Sequence, residues 1–182
     1  MIWLVRHAQP LIAPGVCYGA LDVAADLDAT RVAAQALAGS LPKHATVVTS
    51  PLQRCELLAH VLFGLRPDLS YKTDARLAEM NFGVFEGQHW DSISLQAYEA
   101  WTSDFWRHRF GGSESVSEFM TRVGQAWDDA CPATADQRPL VWITHAGVIR
   151  AASLISQGVR EVHEAAGWPA GAPEFGQAWC VP

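Results

Sequence analysis

Arg6 and His7 stand side by side after a short apolar run, and His145 follows a second apolar run far along the chain. A neutral imidazole is a competent nucleophile toward phosphorus and can carry a covalent intermediate, while a guanidinium beside it can grip anionic oxygens in pairs. A lone histidine after a strand is more often a hydrogen-bonded structural residue. Two of them with an arginine at one sheet edge would instead form a compact anion site. Arg54, in Ser50-Pro51-Leu52-Gln53-Arg54, falls in the first turn of an expected helix, whose free N–H groups and dipole also favour an anion. Glu79 opens a stretch running through Phe82-Gly83 to Glu86-Gly87, a shaped loop in which a carboxyl beside a leaving oxygen could protonate it. Glu86 reads as a loop-stabilising hydrogen-bond partner rather than a catalyst.

These residues need elements that bring them together. Residues 2–5 read as a buried strand, Thr46–Thr49 as a second, 71–77 as a third, Leu140–Thr144 as the clearest, and 177–181 as a short last one. Between them, helical spacing runs from Asp28 to about Gly39. A second helix is expected to open at Ser50 as N-cap with Pro51 at its first position. Ser115 and Glu118 form a capping-box pattern ahead of Phe119, Val123 and Trp127, predicting a helix over about 116–130, and another follows His145 to about 157. Residues 11–26 read as a loop, and 78–112 as a long irregular, lid-like insertion with a short aromatic helix near 95–106. Strands alternating with helices predict an α/β fold, a three-layer α/β/α sandwich around a mostly parallel sheet, forming one domain over 1–182. Ligands in such sheets bind beyond the carboxyl ends of the strands, where Arg6-His7 and His145 fall.

Composition narrows the classes further. The formal net charge is −6, from 13 Lys and Arg against 19 Asp and Glu, which argues against a nucleic-acid partner but leaves room for a local arginine cluster. Four cysteines, Cys17, Cys55, Cys131 and Cys180, form no CxxC pair and read as reduced thiols of a cytoplasmic protein. No apolar run reaches the ~18 residues of a spanning helix, and no signal-peptide core precedes Arg6, so no membrane partner is expected. The seven histidines, at 7, 44, 60, 89, 108, 145 and 163, show no metal-ligand spacing, and no P-loop or dinucleotide fingerprint occurs. No metal and no cofactor are expected.

Taken together, Arg6-His7, Ser50-Pro51-Leu52-Gln53-Arg54, Glu79 with Phe82-Gly83 and Glu86-Gly87, and Thr144-His145-Ala146-Gly147 resemble, in order, the motifs of the histidine phosphatase superfamily, also called phosphoglycerate-mutase-like. The resemblance implies a phosphoglycerate-mutase-like fold and a two-step, metal-independent reaction on a small phosphate ester. His7 would become phosphohistidine and Glu79 would protonate the leaving alcohol. Arg6, Arg54 and His145 would hold the phosphoryl oxygens.

Within that family, Gly15-Val16-Cys17-Tyr18-Gly19-Ala20-Leu21-Asp22 is similar to a stretch of the α-ribazole-5′-phosphate phosphatases of cobalamin biosynthesis, and Gly112-Ser113-Glu114-Ser115 resembles one they share with sugar-phosphate phosphatases. This implies substrate contacts from Cys17, Tyr18, Gly19 and Ala146. Trp101 and Trp106, with Phe105 and Phe110, would form an aromatic lid over a flat heteroaromatic group. The chain departs from the family in having Ala8 after the nucleophile where Gly is usual, and Pro10 and Ala13 where the mutase pattern carries Ser and Asn. Three other readings stand beside this one. They are a broad sugar- or nucleotide-phosphate phosphatase, a protein-phosphohistidine phosphatase (against which Glu79 counts), and a phosphate-binding regulatory module without turnover.

Overall fold

A computed structural model describes residues 1–135 and 138–182, the side chains of 131–135 excepted. The reading of Cys131 as a reduced thiol therefore lies outside the described residues; Cys17, Cys55 and Cys180 are free thiols. Five strands form one sheet: β1 (Ile2–Arg6), β2 (Thr46–Thr49), β3 (Ser70–Thr73), β4 (Leu140–Thr144) and β5 (Ala178–Val181), in the order β3-β2-β4-β1-β5. All neighbours are parallel except β5, which runs antiparallel to β1 along the sheet edge.

Side chains along a strand alternate between faces, and this divides the core in two. Ile2 and Leu4 of β1, with Leu140 and Trp142 of β4, pack on one face against α4 (Val116–Ala135) and α5 (Ala146–Ser156). Val5, Val141 and Ile143 pack on the other against α1 (Leu27–Ser40) and α2 (Gln53–Leu65). The result is the expected α/β/α sandwich. α3 (Leu95–Ser103), capped by Ser94, lies within the long segment between β3 and α4.

The chain leaves β1 toward β2 and leaves β4 in the opposite direction, toward β5, so the adjacent carboxyl ends of β1 and β4 form a topological switch point. Their register pairs Arg6 with Thr144, and the His7 N–H donates to the Thr144 carbonyl at 3.0 Å. His7 and His145 are thereby made neighbours.

Two local expectations need correction. Ser50 does not cap α2. The helix starts at Gln53 after an extended Leu52 with no side-chain cap, and Ser50 is drawn instead toward His145. The third strand stops at Thr73 because Asp74 accepts the Arg76 N–H at 2.9 Å and turns 75–77 into a single 3-10 turn.

Candidate active site

β1 delivers His7 to the floor of a cleft of about 590 Å³, where only 2% of the residue remains exposed. Its Nδ1 lies 2.7 Å from the Ala8 carbonyl oxygen. A carbonyl can only accept, so Nδ1 carries the ring proton and Nε2 of the neutral ring keeps its lone pair. Burial, with the positive charges of Arg54 and Arg6, pushes the His7 pKa down to about 3. The ring is therefore unprotonated at neutral pH, the state in which an imidazole can act as a nucleophile. Ala8 causes no strain here, because His44 is the one described non-glycine residue with positive φ.

Arg54 comes from the first turn of α2 and is fully buried. Its Nη2 donates to the Gly19 carbonyl at 2.6 Å, its Nη1 to the Leu21 carbonyl at 2.8 Å, and its Nε to His145 Nδ1 at 3.2 Å. Those carbonyls are fixed in turn by Glu86, which accepts the N–H groups of Ala20, Leu21 and Phe82, the structural role expected for it. Arg6 donates to the Pro173 carbonyl at 3.0 Å, and its Nε is buried without a partner.

Arg31, Arg66, Arg76, Arg109, Arg122 and Arg160 each pair with a carboxylate, whereas among the described residues Arg6 and Arg54 do not, nor do Arg150 in the cleft and the exposed Arg107 and Arg138. Two buried or half-buried guanidinium groups without counter-ions are costly unless an anion joins them. Phosphate is an anion of the right geometry.

His145 is held one layer behind the cleft. Because a guanidinium only donates, His145 Nδ1 accepts from Arg54, and Nε2–H then donates to Ser50 Oγ at 2.8 Å. Burial and the nearby Arg54 charge keep the ring well below the ordinary histidine pKa. A phosphoryl oxygen can take the Nε2 proton only in exchange for the Ser50 bond. As it stands, His145 orients Arg54.

Glu79 reaches the same cleft from the loop after β3. Its Oε2 accepts the Gly147 N–H of α5 at 2.9 Å. A Cβ at Gly147 would lie 2.2 Å from Glu79 Oε1, so a larger residue there would push the carboxylate out of this position. Ala146, at the start of α5, also lines the cleft, as do Val16 and Tyr18. The Tyr18 ring lies under the Arg54 guanidinium at 5.3 Å. Gly19 contributes its carbonyl to Arg54 rather than a contact to the cleft.

Cys17 departs from expectation. It is fully buried outside the cleft lining, with its N–H and carbonyl tied to Gln88 and Gly87, and burial pushes its thiol up to about 12. Trp106 is likewise absent from the cleft and sits against His163, whereas Trp101 and Phe105 form part of the wall with Phe82, Trp90, Phe119 and Trp168.

Sequence reasoning passed over three residues. Arg122 donates to the carbonyls of Arg76, Ala78 and Glu79 while paired with Glu114, and so pins the Glu79 backbone. Its signal was a charge on the buried stripe Phe119, Val123, Ala126 of α4. Arg150 lines the cleft and donates to the carbonyls of Ala170 and Gly171. It lies one helical turn past Ala146 and Gly147, on the same face of α5. Phe175, against Arg6 and His7, left no periodic signal.

A second cavity of about 490 Å³ opens between α4 and the face of β2, β3 and β4, but Arg76 within it is already paired with Asp74 and Asp129. Among the described residues no group of three or more His, Cys, Asp or Glu side chains could hold a metal, and no described helix is long and apolar enough to cross a membrane.

The buried histidine has a measurable consequence. An unfolded chain takes up a proton at His7 near pH 6.5, while the folded chain refuses it until about pH 3. Fold stability is therefore unaffected by this group above 6.5 and falls as the pH drops through that window, with His145 acting in the same direction. Urea unfolding across the window should show this slope, and His7→Gln should make it shallower. Equal slopes for the two proteins would contradict the buried neutral ring.

A family model described as Histidine phosphatase superfamily (branch 1) matches residues 2–164. A relative from Hydrogenobacter thermophilus, which carries the provisional name phosphoserine phosphatase 2, is 29% identical over 165 residues, covering 87% of this chain and 79% of that protein. The crystal structure of a phosphoglycerate mutase from Thermus thermophilus superposes with a TM-score of 0.73 at 28% identity, covering 97% of this chain and 90% of the other. A mycobacterial glucosyl-3-phosphoglycerate phosphatase shares the fold, with a TM-score of 0.73 at 24% identity over 85% of this chain and 78% of its own.

Proposed function

The chain belongs to the histidine phosphatase superfamily, branch 1, and we propose that it is a phosphomonoesterase working through phosphohistidine on His7. The observation that carries this reading is the neutral His7, its Nε2 lone pair free, beside two guanidinium groups without carboxylate partners. Nε2 attacks phosphorus and the ester P–O bond breaks. Arg6 and Arg54 offset the charge on the non-bridging oxygens. Glu79, in the same cleft, gives its proton to the departing alkoxide and then takes one from the water that attacks the phosphohistidine. Free phosphate leaves and the neutral ring is restored. The positive charge comes from the arginines, so the reaction requires no metal.

We assign the substrate as α-ribazole-5′-phosphate or an ester of like shape. The Cys-Tyr-Gly resemblance supports this, and so does the wall of Phe82, Trp90, Trp101, Phe105 and Trp168 extending from the phosphate end, which suits a flat apolar ring system. Segment 78–112 supplies most of that wall and acts as its lid. One observation favours a second reading. Arg150 is a further cation in the cleft, and it would suit a substrate bearing a carboxylate as well as a phosphate.

The test is a panel of α-ribazole phosphate, phosphoserine, a sugar phosphate and glycerol phosphate with a chelator present. α-Ribazole phosphate should have the highest kcat/KM. Trp101→Ala should lower that value roughly tenfold, the scale of one aromatic stack, while sparing glycerol phosphate. A preference for phosphoserine, lost on Arg150→Gln, would favour the second reading. Equal loss on all esters would remove Trp101 from substrate selection.

A further inference from the structure

The family match ends at residue 164, yet the chain beyond it returns to the catalytic histidine. After Trp168, Pro169 and Ala170 in the cleft wall, the chain makes a tight turn at Glu174–Gln177, closed by a 3.0 Å bond from the Gln177 N–H to the Glu174 carbonyl. Gly176 sits at its third position with φ +74, and a Cβ there would come within 2.5 Å of the Ala33 Cβ on α1. The Gly176 N–H donates to the carbonyls of both Arg6 and His7, at 3.2 and 3.1 Å, and the Arg6 N–H donates to the Gln177 carbonyl at 3.0 Å. The turn is therefore fastened to the backbone of the two residues that begin the active site.

We propose that Phe175, presented by this turn, is a positioning residue that fixes the Arg6 guanidinium and keeps water from His7. The Arg6 guanidinium carbon lies 3.8 Å from the centre of the Phe175 ring. With Nη1 held by the Pro173 carbonyl, the aromatic face and one carbonyl set the plane of the guanidinium. The Phe175 ring also lies 5.4 Å from that of His7, whose other ring neighbour is His145 at 5.2 Å. Phe175 does not line the cleft, so it acts through these two residues and not on substrate. The other charged or titratable groups near His7 are Arg6 from β1, Arg54 from α2, His145 after β4, Tyr18 from the loop, and Glu79 and Arg150 sharing the cleft. None of them replaces an apolar ring in excluding water.

The proposal rests on the reading of His7 as nucleophile only for its kinetic arm, so its test begins with readouts independent of turnover. Side-chain NMR of the histidines would be followed from about pH 5 to 8 in the full chain, the range in which an ordinary imidazole titrates. Affinity for inorganic phosphate would be measured beside it. Wild-type His7 should be silent over this range. In Phe175→Ala it should begin to titrate, phosphate affinity should fall roughly tenfold, the scale of a desolvated cation–π contact, and kcat/KM should fall at least as far. Phe175→Leu keeps an apolar plug without a π face, so His7 should stay silent while phosphate affinity still falls. Should the alanine variant not fold, the leucine variant decides through phosphate affinity. Wild-type phosphate affinity in the leucine variant, or a folded alanine variant with silent His7, overturns the proposal. Absence of any phosphatase activity with these shifts intact overturns the catalytic reading and leaves the positioning role standing.

Discussion

Replacing His7 by alanine is expected to remove turnover by about 10⁴-fold or more, the scale seen when a covalent nucleophile is deleted. No other described side chain in the cleft combines a neutral lone pair with contact to the arginine pair, so no group takes over the attack. Wild-type protein quenched during turnover of a ³²P-labelled ester should carry an acid-labile, base-stable phosphoryl group, and His7→Ala none. A chelator should leave wild-type turnover unchanged. Near-normal activity in the variant, or a phosphoryl group on another residue, would end the His7 mechanism.

Arg54→Met is expected to lower kcat/KM by about 10³-fold and to destabilise the fold as well. The rate effect is that of removing one preorganised donor from the developing charge, enlarged because this donor carries a full charge. The stability effect is a net loss. Losing the guanidinium strands the Gly19 and Leu21 carbonyls and His145 Nδ1, at about 1–3 kcal/mol each where no water reaches them. It also removes a buried charge that no carboxylate balances, which offsets only part of that loss. The two proteins separate clearly when phosphate is added. At about 100-fold over its Kd, phosphate should stabilise the wild type by about 2.7 kcal/mol, several degrees in Tm, and the variant hardly at all. A full phosphate shift in Arg54→Met would remove Arg54 from the anion site.

The layers of the fold were legible in the sequence because each strand and helix declares itself by local spacing. Leu140–Ile143 is apolar throughout since both faces of the strand are covered, and the Ser115/Glu118 box is a local bond pattern that places the start of α4. Local rules failed where a distant partner competed. Ser50 had the chemistry of a cap, yet His145 lies 2.8 Å from its hydroxyl and the helix starts three residues later. Asp74 ended a strand that periodicity carried on to residue 77.

The site divides in the same way. Residue types and motif order alone brought forward Arg6, His7, Arg54, Glu79 and His145: all but Glu79 stand at strand ends or a helix start, which local sequence marks, and Glu79 came with the order of the motifs. What each group does was decided by tertiary contacts. The Ala8 carbonyl fixes the proton on His7 Nδ1, Gly147 admits the Glu79 carboxylate, and His145 is turned toward Arg54 and Ser50. Cys17 passed from expected substrate contact to buried loop residue, while Arg122, Arg150 and Phe175 entered from the structure. Their roles depend on carbonyls and rings brought close by the closing of the sheet. A sequence orders residues along one dimension, whereas proton position, charge balance and access depend on which groups meet in three.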